Sequence, residues 1–213
     1  MENRAVNVKA GKSKKVVIKA IPGHFATSHS HINTYIDMTS VKCNHHMAEA
    51  AATALASKFE YSTPVDSIIC MDGCEVIGGF LAAEIAKSGG RGLNKDREIN
   101  IITPEFNTNG QMIFRDNLQP MIWKKNVLLL VASATTGKSI VRSLECIKYY
   151  GGNTVGICAL FSAIDSKEGI EIESLFDKKD FPDYLTYSPK DCPECIKGIK
   201  LDAIVNSYGY SKF

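Results

Sequence analysis

Asn126-Val127-Leu128-Leu129-Leu130-Val131-Ala132-Ser133-Ala134-Thr135-Thr136-Gly137-Lys138-Ser139-Ile140 runs from a strand through a tight polar loop into the first turn of a helix. The unbroken apolar run from Val127 to Val131 leaves no polar face for water, so the strand belongs in the centre of a parallel sheet covered on both sides. Thr135, Thr136 and Ser139 bring hydroxyls, and Gly137 permits close backbone approach. A helix starting near Lys138 turns its unpaired N–H groups toward the loop. Donors converging on a helix start make an anion site, for which phosphate is the simplest ligand. The plainer alternative is a strand–turn–helix connection with an ordinary cap.

Outward from this segment, strands and helices alternate. Residues 16–21 read as a first strand ended by Pro22-Gly23, and a polar stretch over 27–33 leads into Tyr35-Ile36-Asp37-Met38. Asn44 is placed to cap an alanine-rich helix running to about Glu60, with Met47, Ala51, Ala54, Leu55 and Phe59 inward and Ser62-Thr63-Pro64 breaking it. A buried strand over 65–71 precedes a loop and a helix over 77–87, stopped by Gly89-Gly90. Strands are predicted over 98–103 and, more briefly, 111–114. The helix after the central loop stops at Gly151-Gly152, and residues 154–164 read as the last core strand. Beyond Asp165 the pattern weakens, broken by Pro182, Pro189 and Pro193. Such alternation implies an α/β fold with a mostly parallel sheet and helices on both faces. Ligands on such sheets bind at the carboxyl ends of the strands, so the loops 71–77, 104–117 and 133–139 share one rim.

The bulk numbers narrow the class. With 213 residues, 45% of them hydrophobic, the chain can bury one substantial core. A net charge of +2 gives no global field for nucleic acid or an anionic membrane. The basic cluster Arg4, Lys9, Lys12, Lys14, Lys15 and Lys19 reads as a solvated terminus. No apolar run approaches ~18 residues, so no span is expected. The absence of an apolar N-terminal core speaks against a secretory signal, and the odd number of scattered cysteines suggests reduced thiols. A soluble cytoplasmic protein is the expectation.

Two families use a loop of this kind. Ala132-x-x-x-x-Gly137-Lys138-Ser139 is similar to the Walker A loop of P-loop NTPases, with Ala for the first Gly and Asp165 as the formal candidate for the metal-binding acid. The same stretch resembles the phosphoribosyl-pyrophosphate (PRPP) loop of type I phosphoribosyltransferases, in which a hydrophobic strand and two acids precede Thr-Thr-Gly-x-Ser or Thr. The upstream chain favours the second. Gly23-His24-Phe25 with residues 28–37 resembles the Gly-His-Phe…Ser-Gly…Ser…Tyr-Ile region of orotate phosphoribosyltransferases. Asp66-Ser67-Ile68-Ile69 followed by Cys70-Met71-Asp72-Gly73 resembles their pyrophosphate loop, and Ile77-Gly78-Gly79-Phe80-Leu81-Ala82 the start of the next helix.

The resemblance implies one domain over 1–213, with a core over about 40–165 and a hood from about 1–39 and 166–213. It implies Mg²⁺-dependent transfer between PRPP and a nitrogenous base, orotate by preference, with pyrophosphate leaving; a nucleoside monophosphate is the product, and a homodimer the assembly. Thr135, Thr136, Gly137, Lys138 and Ser139 would hold the 5′-phosphate, and Cys70, Met71, Asp72, Gly73 and Lys124 the pyrophosphate. Asp72, Glu75 and Arg115 are the catalytic candidates, Asp72 and Glu75 also orienting hydrated Mg²⁺. The plainer alternatives are an Asp72-Gly73 turn, a helix-start role for Glu75, and an Arg115–Asp116 surface pair.

The sequence departs from the family at two places. Val131 and Ala132 stand where the two ribose-binding acids precede the loop, and neither can accept a hydroxyl hydrogen bond. Asp72, Glu75 and Asp116 are the substitutes available. The hood loop keeps Arg115, Lys124 and Lys125 but has no His. Alternatives are therefore a non-catalytic PRPP- or nucleotide-binding regulator on the same fold and a P-loop nucleotide hydrolase. Separately, Asp191-Cys192-Pro193-Glu194-Cys195-Ile196-Lys197-Gly198 has the spacing of a zinc knuckle. Cys192 and Cys195 give half a Zn²⁺ site, which Cys43, His45 and His46 would complete if the fold brought them close; a tight turn with reduced thiols is the plainer reading. His24, His29 and His31 lie in the segment resembling the base-binding region.

Overall fold

In the computed structural model, which describes residues 1–59, 63–87 and 92–213, the apolar run around Leu129 is the middle of the strand Asn126–Ala134. Its residues alternate between two hydrophobic layers, Leu128, Leu130 and Ala132 entering one and Val127, Leu129 and Val131 the other. Burial on both sides is why the run shows no polar alternation.

In chain order the elements are β1 (Val6–Lys9), β2 (Val17–Ala26), β3 (His31–Asp37), α1 (Thr39–Cys43), α2 (His45–Ala56), β4 (Ser67–Cys70), α3 (Glu75–Lys87), β5 (Asn100–Ile102), β6 (Glu105–Phe106) and β7 (Met112–Ile113). Then come β8 (Asn126–Ala134), α4 (Lys138–Tyr149), β9 (Asn153–Ser162), β10 (Ser166–Lys167), β11 (Ile170–Phe176), β12 (Thr186–Tyr187), α5 (Pro193–Ile196), β13 (Ala203–Asn206) and β14 (Gly209–Lys212).

The core sheet has the order β10-β11-β9-β8-β4-β5, parallel from β11 to β5. Helix α4 covers one face through Ile140 and Ile147. Helices α2 and α3 cover the other through Ala51, Leu55, Ile77 and Leu81, as the α/β pattern predicts. Asn44 caps α2, its side chain accepting from the Met47 N–H at 3.2 Å. The helix ends at Ala56, and Phe59 is buried just beyond it. The breaks expected at Glu60, Ser62 and Gly89-Gly90 lie outside the described residues.

A second sheet, β12-β3-β2-β13-β14 with β1 beside β2, forms a hood from both ends of the chain. Two expectations are corrected here. Pro22-Gly23 does not end the first long strand: β2 continues to Ala26, its register against β3 shifting between Pro22 and Phe25 as at a bulge. A Cβ on Gly23 would lie 2.4 Å from Asp202 Oδ2, the carboxylate that accepts from the His24 N–H at 2.9 Å. Glycine therefore permits this bulge. Nor is residue 164 the end of the core, since β11 adds a parallel strand beside β9. It carries an exposed Glu171 and a half-buried Glu173, paired with Lys58 and Lys12, which dilute its apolar signal. Phe161 of β9 and Phe176 of β11 then hold Phe181 and Tyr184, in the connection to β12 of the hood, by edge-on and tilted ring contacts at 5.0–6.0 Å.

Candidate active site

Parallel pairing of β4, β5 and β8 brings the loops after them to one rim, as expected. There the 133–139 loop, the hood turn at 27–30 and the tip of the β13–β14 hairpin enclose a cleft of about 230 Å³. Thr135, Thr136, Gly137, Lys138 and Ser139 all line it. Gly137 is the N-cap of α4 at φ 71°, and no side chain caps the helix. A Cβ there would come within 2.8 Å of Lys167 Cδ and 3.0 Å of Ile164 Cδ1. The chain thus keeps glycine where the first-turn N–H groups meet the cleft, and adds the exposed Lys138 ammonium beside them.

Beside the loop, after the neighbouring strand β4, stands Asp72, the one carboxylate among the described residues that line the cleft. Its backbone is left-handed, at φ 60°. It accepts hydrogen bonds from Ser207 Oγ at 3.1 Å and from the Ala132 N–H. Burial pushes the Asp72 carboxyl above its ordinary range, against the pull of those two donors and of Lys42. The buried Lys42 ammonium donates to the carbonyl oxygens of Asp72, at 3.0 Å, and of Ser207. Lys42 and Ser207 escaped sequence reading. The cue for Ser207 was the strand–turn–strand pattern Ala203-Ile204-Val205-Asn206…Gly209; Lys42, on a one-turn helix, offered none.

Other predicted residues lie elsewhere. The Cys70 side chain is buried in the core, its thiol pushed up to about 12 by burial and then by Glu75, and Met71 is buried in the opposite layer with its N–H bonded to Leu130 O at 2.8 Å. Neither presents a side chain to pyrophosphate. Gly73 lies 3.4 Å, measured from a Cβ built on it, from the Tyr208 ring. Glu75 opens α3, its carboxylate 3.4 Å from Thr103 Oγ1. Arg115 is exposed and paired with Glu105, at 2.6 and 3.0 Å, rather than with Asp116; that contact holds the Glu105 carboxyl below its usual range. It spans the β6–β7 hairpin and does not line the cleft. Lys124 precedes β8, so it lies at the amino end of the sheet, across from the cleft, with its ammonium 4.2 Å from the centre of the Trp123 ring. Val131 and Ala132 are buried, one in each layer.

The three hood histidines separate. His29 lines the cleft in a turn closed by Thr27 and Ser30, whose N–H donates to Thr27 Oγ1 at 2.9 Å. His24 and His31 instead meet Cys192 and Cys195. Cys43, His45 and His46 are not part of that group, which corrects the partners expected for the Cys-x-x-Cys pair. Among the described residues no helix is long and apolar enough to cross a membrane.

No protein-family model matches the chain. The orotate phosphoribosyltransferase of Desulforamulus reducens is 31% identical over 186 residues, 84% of this chain and 86% of that protein. That of Caldanaerobacter subterraneus subsp. tengcongensis is 28% identical over 183 residues, covering 84% and 86%. Among solved structures, the adenine phosphoribosyltransferase of Trypanosoma brucei superposes with a TM-score of 0.52 at 10% identity, over 80% of this chain and 79% of that one. Likeness at that identity speaks for the fold alone. A glycine-capped loop lining a cleft on the rim of a parallel sheet under a two-ended hood, with a relative 31% identical and matched along most of its length, places the chain in the orotate phosphoribosyltransferase family.

Proposed function

We infer that the protein transfers a phosphoribosyl group between PRPP and orotate, releasing pyrophosphate, at the cleft where residues 135–139 face Asp72. That juxtaposition carries the reading: the same cleft offers N–H groups, hydroxyls and an ammonium to a phosphate and, beside them, a carboxylate to the sugar. The base nitrogen attacks the anomeric carbon as the bond to pyrophosphate breaks, and positive charge grows on the ribose ring. Asp72 faces that charge in place of the two acids the family carries at Val131 and Ala132, and the hood turn with His29 faces the base.

Mg²⁺ suits the residues present. The charge of Glu75 adds to burial in pushing the Asp72 carboxyl up, so the two acids share one neighbourhood that a hydrated divalent cation would relieve. When bound, Mg²⁺ supplies positive charge against the leaving pyrophosphate. We attach to this reading a homodimer, supported by exposed Val76 on α3, Ile101 on the edge strand β5 and Phe106 on β6. A cytoplasmic setting fits the cysteines, all of which are free.

One observation favours a second reading. Val131 and Ala132 are not merely uncharged but buried, so no side chain at those positions meets a ribose, as a PRPP- or nucleotide-binding regulator would allow. Pyrophosphate release from PRPP plus orotate with Mg²⁺, alongside calorimetric titration with PRPP and orotidine monophosphate, separates the two. Turnover supports the transferase; binding without turnover supports the regulator; absence of both sinks the cleft as a PRPP site.

A further inference from the structure

We propose that His24, His31, Cys192 and Cys195 bind one zinc ion that staples the C-terminal knuckle to the hood sheet, whatever reaction the cleft performs. His24 Nε2 lies 3.3 Å from Cys192 Sγ, 3.5 Å from Cys195 Sγ and 3.2 Å from His31 Nδ1. Cys195 Sγ is 3.3 Å from the same His31 nitrogen, and all four ligand atoms fall within 4.8 Å of one another. Zinc bonded to nitrogen at about 2.0–2.1 Å and sulfur at about 2.3 Å sets tetrahedral edges of about 3.4 Å for N···N, 3.6 Å for N···S and 3.8 Å for S···S. The one N···N and three N···S contacts match those edges to within a few tenths of an ångström, and the remaining two pairs lie within 4.8 Å.

Hydrogen bonding alone does not account for the cluster. A ring nitrogen carries either one N–H or one in-plane lone pair, yet His24 Nε2 has three close partners. A cation at the centre gives all of them a common partner. The other His24 nitrogen, Nδ1, stands 3.0 Å from Ile199 O, where a donated N–H leaves Nε2 as the lone pair facing inward. Cys192 and Cys195 are held in a tight turn, with the Ile196 N–H on Cys192 O at 3.0 Å and the Gly198 N–H on Cys195 O at 2.9 Å. Two thiolates and two neutral imidazoles neutralise Zn²⁺, and an N₂S₂ set is its usual tetrahedral environment. Four protein ligands leave no open position, so the site is structural.

The placement gives the ion its role. His24 sits in the bulge of β2, which turns its ring toward the knuckle, and His31 opens β3. Between them lies the turn at 27–30 that walls the cleft. The cysteines come from the other end of the chain, so the ion joins both pieces of the hood behind that wall.

Zinc is measured by plasma mass spectrometry on the full chain purified under reducing conditions without chelator or metal-affinity resin. About one equivalent is expected. The chelated protein should then take up one Co²⁺ with the intense visible absorption and thiolate-to-metal charge transfer of a tetrahedral N₂S₂ site. Cys195→Ser, at an exposed position, should bind zinc at least tenfold more weakly, whereas Cys43→Ser keeps it. Chelation should raise amide exchange around residues 24–31 and 192–199 while the core sheet stays protected. A reduced wild-type chain that holds under a tenth of an equivalent and gives no tetrahedral Co²⁺ spectrum would overturn the site, as would full zinc affinity in Cys195→Ser.

Discussion

Asp72 occupies a position that a folded protein does not choose for stability. Its carboxylate is drawn inward at a left-handed residue, and burial raises its proton affinity despite Ser207, Ala132 and Lys42. Because the folded form binds the proton more tightly than the unfolded chain, stability falls as pH rises through the ordinary carboxylate value toward the raised one. Above that window the penalty is complete, and below it there is none. Asn keeps the shape, tolerates φ > 0 and does not ionise. Asp72→Asn should therefore melt at or above the wild-type temperature at pH 7, the gap closing near pH 4, while kcat/KM falls by about 100-fold or more. A variant that melts well below wild type at pH 7, or that keeps full turnover, removes Asp72 from the role assigned to it. That Thr135, Thr136 and Ser139 line the cleft was legible in sequence, because local order alone sets a loop between a buried strand and a helix. Lys42 was not, because its meaning comes from carbonyl groups of Asp72 and Ser207, brought to it only by the fold.

Helix α4 and the β13–β14 hairpin make the two long-range demands on the site. Gly137→Ala sets a Cβ at φ 71° against Lys167 and Ile164, so the start of α4 must shift to accept it. We expect a loss of about 1–2 kcal/mol, or about 3–6 °C in melting temperature, with PRPP affinity reduced about tenfold or more by calorimetry. Unchanged affinity would mean that the first turn of α4 does not hold the phosphate. Under the hairpin, Lys42→Met keeps most of the unbranched side chain but leaves the Asp72 and Ser207 carbonyls without their donor. The cost should be about 2–4 kcal/mol in chemical denaturation, and proteolysis should reach the hairpin at 203–212 earlier. If stability is unaltered, the hairpin is held by other contacts. Elements with a clean local signal, such as the apolar run of β8 and the Asn44-capped start of α2, were read correctly, although α2 stops at Ala56, short of the end expected at about Glu60. The strand β11 was not: Ile170-Glu171-Ile172-Glu173 alternates for only four residues before Ser174 breaks the period, and Glu171 and Glu173, paired with Lys58 and Lys12, keep the segment from reading as an apolar core strand.

The whole molecule joins a rigid sheet to a hood whose pieces are far apart in sequence. The layers around β4, β8 and β9 are fully buried, whereas the β6–β7 hairpin is short, largely exposed and closed by the surface pair Arg115–Glu105. Local opening should follow that contrast, with amides of β8 and β9 exchanging only on global unfolding and those of β6 and β7 exchanging first. The cleft borrows from three places at once: the α4 loop of the core, the 27–30 turn and the 205–207 tip of the hood. A ligand that bridges them must order all three together, because each wall gains contacts only when the others are in place. Hydrogen exchange with and without PRPP and Mg²⁺ should therefore show coincident protection at residues 27–30, 135–139 and 205–207, with little change in β9. Protection confined to residues 135–139 would mean that the phosphate binds at the helix start alone, and that the hood takes no part in holding the sugar or the base.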